Sequence, residues 1–179
     1  MTHHVIGLDL AAEQSGVAHP DGTGLITAPK KAGKTRTLGD DLNRLSNAEQ
    51  AVTHLLEHYR PQLVVIEDYA PGIRSAAAHR LAEISGVVRL ACYRAGAPLA
   101  LVNVKHLKQY ATGKGGATKS EMATAALKRA GLEFPTEDEC DAWWLQAMGL
   151  ARLGSPVVEV PALHREALDK VFWPMAEAR

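Results

Sequence analysis

The hydrophobic period of this chain changes between Thr27 and Leu38, and that change restricts its fold more than any other feature. Before it lie three short apolar runs, Val5–Leu10, Ser15–His19 and Gly24–Thr27, separated by polar turns such as Pro20-Asp21-Gly22-Thr23. Such spacing reads as an antiparallel meander. After it, Leu42, Leu45, Ala48, Val52, Leu55 and Leu56 recur at three- and four-residue steps, which predicts a helix over Leu38–Tyr59 with one apolar face. Pro61 ends it. Leu63–Ile66 is then a continuous apolar run, as expected of a strand covered on both sides, and it closes on Glu67-Asp68.

The remaining pattern alternates. A helix is expected over Arg74–Ala95 with Leu81, Ile84, Val88 and Ala91 inward; Gly86 inside it suggests a closely packed backbone. A buried strand follows at Pro98–Val102, a short helix at Val104–Tyr110, a glycine-rich basic loop at Ala111–Ala117 and a helix at Lys119–Ala130. Thr136 is a good N-cap for a last long helix, Glu137–Leu153. A meander followed by strand–helix units predicts an α/β fold: a mixed sheet with helices on its faces. Its domain would span residues 1–154, with 155–179 as an extension that packs on it or binds a partner. That extension holds one further helix around Ala162–Val171.

Composition narrows the function. The 179 residues suit one domain with a proper core. Formal net charge is zero, so any nucleic-acid surface must be a local patch offset by acids elsewhere. Cys92 and Cys140 form no CxxC pair and read as buried reduced thiols. No apolar run approaches the ~18 residues of a membrane span, and no signal peptide is evident, so a cytoplasmic protein is expected.

The chemistry lies in four carboxylates. Asp9 closes the first strand and Glu67 closes the strand after the first long helix. Strand ends side by side are where ligands gather in such sheets. Asp138 and Asp141, three apart at a helix start, project from one face. Singly, each has a bland explanation: a turn former, a solvated strand end, an acid favoured by the helix dipole. Asp141 resists it, because Trp143, Trp144, Leu145 and Met148 make much of its helix apolar, and an acid on a buried side needs a partner. Oxygen-only ligands select magnesium or manganese, and two ions roughly 4 Å apart suit phosphodiester cleavage.

Taken in order, these segments resemble the RuvC-type Holliday junction resolvases of the RNase H-like superfamily. The matching stretches are Ile6-Gly7-Leu8-Asp9-Leu10 with Ser15-Gly16-Val17-Ala18, Val64-Val65-Ile66-Glu67, Val104-Lys105-His106-Leu107-Lys108 with Thr112 to Lys119, and Asp138-Glu139-Cys140-Asp141-Ala142. The resemblance implies an RNase H-like mixed five-stranded sheet. It implies a crossover junction endodeoxyribonuclease acting in recombination and repair, near the nucleoid. Asp9, Glu67, Asp138 and Asp141 would be the metal-binding catalytic acids, with Lys108 and Lys119 near the scissile phosphate. It also implies a homodimer through helix 74–95, and an aromatic stacking on junction bases, for which Tyr69 is the candidate.

Lys105, Lys108, Lys114 and Lys119 cluster around Gly113, Gly115 and Gly116, where lysines would bind DNA phosphates; Arg74 and Arg80 are further DNA-binding candidates for that patch. Of Trp143 and Trp144, at least one is expected in the core, and His106 is expected at the surface. Two other functions are compatible with the sequence. One keeps the fold and acts on RNA or other branched DNA. The other is a P-loop nucleotide-binding protein using Ala28–Thr35, but that stretch has only Gly33 as glycine, Pro29 removes an amide donor, and it follows a meander.

Overall fold

The computed structural model describes residues 3–31, 33–68 and 76–174; Tyr69 and Arg74 lie outside them. Strands β1 (Val5–Asp9), β2 (Gln14–His19) and β3 (Gly22–Thr27) form the meander. Helix α1 (Leu38–Tyr59) leads to β4 (Leu63–Asp68), α2 (Ala76–Arg94) to β5 (Leu99–Asn103), and α3 (Val104–Thr112), α4 (Lys119–Ala130) and α5 (Glu137–Arg152) follow. The sheet order is β3-β2-β1-β4-β5, antiparallel across the meander and parallel through β1, β4 and β5.

Local chemistry sets the helix ends. Thr37 caps α1 in a reciprocal box with Asp40, and Thr118 does the same for α4 with Glu121. Thr136 caps α5 by accepting from the Glu139 amide. Arg60 takes the left-handed conformation that ends α1, one residue before Pro61.

Two cores flank the sheet. Ile6, Leu8, Val64 and Ile66 pack under α1 and α2. Val5, Leu63 and Val65, on the alternate positions, pack under α5 with Trp144, Leu145 and Met148. Trp143 and Trp144 are buried, and both cysteines are buried free thiols.

Several expectations change. Leu42 is 56% exposed, because the buried stripe of α1 runs through Arg44, Ala48, Val52 and Leu56 and leaves Leu42 to one side. Gly86 meets nothing within 4 Å, so no backbone approach explains it. Helix α3 absorbs Ala111 and Thr112 from the expected loop. The tail helix breaks into a single turn, α6 (Ala162–Arg165), and a 3-10 turn at Leu168–Lys170. Val158, Val160, Ala167 and Val171 of the tail nevertheless lie in the α5-side core. Ala28–Thr35 makes no phosphate cradle in its described residues: β3 is an antiparallel edge strand, and α1 starts only at Leu38. Among the described residues no helix is long and apolar enough to cross a membrane.

Candidate active site

Strand periodicity brings the first two acids together. Val5 pairs with Leu63 and Gly7 with Val65, so Asp9 and Glu67, each two residues on, stand side by side on the α5 face. Asp9 also pairs with Gly16 across β2.

Helix α5 supplies the other two acids by lying unusually close to the sheet. A Cβ at Gly16 would sit 2.0 Å from the Asp138 carbonyl oxygen, and one at Gly7 would sit 2.1 Å from that of Ala142. Only glycine admits such an approach. Farther along, Gly149 packs on Val5 and Val65, and Gln146 Nε2 donates to the Val5 carbonyl at 3.0 Å. Buried Glu139 fastens the helix start, accepting from the Thr23 hydroxyl at 3.2 Å and the Thr136 hydroxyl at 2.9 Å. Sequence reasoning missed this group. Its readable sign was two isolated glycines in strand patterns.

The four acids lie near enough to influence one another's charge. Burial, then Glu67 and Asp141, with a smaller push from Asp138, raise Asp9 well above the ordinary carboxylate range against the pull of Lys119. Burial and then Asp141 push Glu67 up to about 7, opposed by Lys119 and Lys108. Burial raises Asp141 too, although Lys119 and Lys108 draw it down. Lys119 Nζ lies 2.5 Å from Asp141 Oδ2. Burial disfavours the Lys119 charge, but that hydrogen bond and the surrounding acids outweigh it and raise its pKa. Asp9, Glu67, Asp138, Asp141, Lys108 and Lys119 therefore form one group.

The acids influence one another without standing at ligand-cage spacing: among the described residues no trio of acidic, histidine or cysteine side chains does so. Their fit to a hard divalent cation rests on the all-oxygen donor set and on Asp141 Oδ1, which is buried with no hydrogen-bond partner.

The other basic candidates are placed differently. Lys105 is exposed on α3, and Lys114 pairs with Glu121 at 3.2 Å. Arg80 approaches Glu13 at 3.6 Å, not the acidic group. His106 is partly buried, which with Lys170 lowers its pKa. A cleft of about 630 Å³ between the β2–β3 hairpin and α5, lined by His19, Thr23, Phe134, Trp143 and Gln146, contains none of the acids.

A mixed five-stranded sheet with acids at adjacent strand ends and on a helix laid across them defines the RNase H-like class. The family model described as "Crossover junction endodeoxyribonuclease RuvC" matches residues 5–142. A relative so named from Saccharopolyspora erythraea is 32% identical over 153 residues, 83% of this chain and 77% of its own. One from Paenarthrobacter aurescens is 29% identical, covering 100% of this chain and 97% of its own. Among solved structures, Thermus thermophilus RuvC in complex with Holliday junction substrate superposes with a TM-score of 0.67 at 20% identity, over 88% of this chain and 99% of that one. This chain belongs to the RuvC family of crossover junction endodeoxyribonucleases.

Proposed function

We propose that this chain cuts four-way DNA junctions by metal-dependent phosphodiester hydrolysis at the group formed by Asp9, Glu67, Asp138 and Asp141. The observation that carries this reading is the meeting of four acids from β1, β4 and α5 with Lys119 in a half-buried site. Magnesium or manganese, as a pair of ions, suits an all-oxygen donor set. Bound there, the ions supply activation of water and stabilisation of the leaving oxygen. The four carboxylates hold them. Lys119 and Lys108, facing the acids, offset charge on the scissile phosphate. Lys105 and Lys114 bind flanking phosphates, Arg74 and Arg80 add contacts to the DNA, and Tyr69 stacks on bases.

Two copies would act together through α2. Gly86, Leu90 and Tyr93 recur at helical spacing on its exposed side, with Leu90 44% and Tyr93 82% exposed. Leu163 and Phe172, exposed on the tail, offer a seat for a further protein partner. The test is cleavage of a synthetic four-way junction with magnesium or manganese, beside duplex, branched DNA and RNA. Symmetric cutting of the junction alone supports the reading. Preference for RNA or for other branches would transfer the site to a different substrate.

A further inference from the structure

Helix α3 and the glycine-rich turn after it carry Lys105, Lys108 and Lys114 and deliver the chain to Lys119. The C-terminal segment, beyond the span of the family match, packs behind that stretch. Its most specific contact is His164, a buried histidine on the single turn α6. The His164 Nδ1 atom lies 3.0 Å from the Tyr110 carbonyl oxygen. A carbonyl only accepts, so Nδ1 carries the hydrogen and donates it.

Tyr110 lies in the last turn of α3, where carbonyls lack partners within the helix. The neighbouring carbonyls are met locally: Lys108 accepts from the Thr112 hydroxyl at 2.8 Å and Gln109 from the Gly113 amide at 2.8 Å. The carbonyl of Tyr110 is met from the tail. The other side of the same imidazole closes on Gly113, where a Cβ would lie 2.7 Å from His164 Nε2. Gly113 is also the residue at φ +84° that turns the chain out of α3. The contact continues inward. The Tyr110 ring meets Trp144 edge-on at 6.1 Å, and Trp144 Nε1 donates to the Met122 carbonyl in α4, one turn after Lys119. Outside, Lys170 Nζ donates to Gln109 Oε1 at 2.8 Å and ties the tail to α3 a second time.

We propose that His164 is a positioning residue: by donating to the Tyr110 carbonyl it caps α3 and thereby fixes where Lys108 and Lys119 stand against the acids. The inference rests on the reading that those lysines serve the scissile phosphate. Asparagine places an amide donor near the Nδ1 position, whereas glutamine places one near Nε2, so the two replacements separate the hydrogen bond from simple filling of space.

The test compares His164→Ala, His164→Gln and His164→Asn in the full chain. It measures single-turnover cleavage at saturating junction, junction binding without metal, and hydrogen exchange of amides 104–118. With Ala and Gln the cleavage rate should fall about tenfold while binding changes little, as expected when charges near the phosphate are misplaced. Exchange over 104–118 should quicken in both. With Asn both readouts should return to the wild-type level. Wild-type cleavage and exchange in the Ala and Gln variants would overturn the proposal. So would equal losses with Asn and Gln, because then the ring only fills a core site. If the wild-type chain cuts no junction, the functional reading fails instead, and the exchange data still decide whether His164 orders the lysine-bearing stretch.

Discussion

Replacing Gly16 by alanine is the sharpest perturbation of the site that removes no charged group. The new Cβ would start 2.0 Å from the Asp138 carbonyl oxygen, where ordinary contact begins at 3.4 Å. The obstacle is backbone, so no rotamer change relieves it, and α5 must retreat there by about 1.4 Å. Its far half cannot follow freely, because Gly149 is seated on Val5 and Val65 and Gln146 is bonded to the Val5 carbonyl. The helix therefore tilts, and Asp138 and Asp141 move away from Asp9 and Glu67. A displacement near 1 Å in a catalytic group costs on the order of 10²-fold in rate. Overpacking should also cost about 1–3 kcal/mol of stability. The assay is single-turnover cleavage of a four-way junction, with circular dichroism to verify folding and metal-free junction binding to verify the lysine surface. Gly24→Ala is the control, since its Cβ meets only Val17 at 3.8 Å. If folded Gly16→Ala cuts at the wild-type rate, the close approach of α5 does not set the geometry of the acids.

Asp9→Asn should abolish cleavage while leaving metal-free junction binding near the wild-type level; wild-type cleavage would remove Asp9 from the site. The pKa values of Asp9, Glu67 and Asp141 are all raised in the fold. The metal-free folded state therefore binds more protons than the unfolded chain between the ordinary carboxylate range and about 7, the value for Glu67. That stabilisation is present at low pH and lost as pH rises through the window, so Tm in chelator should fall from pH 5 to pH 8, and added magnesium should raise it more at pH 8. A Tm that is flat or rising in chelator contradicts the buried cluster. Glu83→Ala leaves buried Arg44 without its 2.5 Å partner and should cost about 1.5–3 kcal/mol in denaturant melts, with Asp41 at 3.5 Å a weak substitute. Replacing Lys105 and Lys108 together should lower the slope of log affinity against log salt by about 0.9 per lysine, whereas Arg94→Ala should leave it unchanged.

The sequence revealed the fold wherever burial has a period. The meander, the stretch Leu38–Tyr59 and the start of α5 at Glu137 are all visible as alternation, helical spacing or a capping residue. The tail was not legible in the same way. Its buried residues Val158 and Val160 are two apart and Ala167 and Val171 four apart, yet no strand forms there and only a short turn and a 3-10 turn do, so neither spacing identifies the structure. Leu42 misled for a related reason: three- and four-residue spacing defines a broad face, and the buried stripe, Arg44, Ala48, Val52 and Leu56, runs along one side of it. Of the site, Asp9 and Glu67 were legible as strand ends. The Lys119–Asp141 contact was not, since 22 residues separate the two and only the packing of α4 on α5 brings them together. Arg44 shows the limit most plainly. A charged residue in a helix pattern reads as solvated, yet Arg44 is 1% exposed between α1 and α2.

Zero net charge looked like an argument against a nucleic-acid surface until the charges were placed. On the α1–α2 side five arginines are paired: Arg36 and Arg80 with Glu13, Arg44 with Glu83, Arg89 with Asp68 and Arg94 with Glu49. Most of these pairs are partly exposed, where each stabilises by at most about 1 kcal/mol. Their larger effect is on the field, because they make that side nearly neutral at short range. Lys105 and Lys108 have no ion pair among the described residues, and the acids nearest Lys108 are ones whose pKa values are raised by burial. Glu67, pushed up to about 7, subtracts less from Lys108 near neutral pH than the formal count assigns. The zero therefore separates into a face whose charges cancel and a face where lysines border an acidic pocket. A phosphate backbone would be attracted to the second face, and a divalent cation in the pocket would strengthen that attraction by neutralising the acids that oppose it.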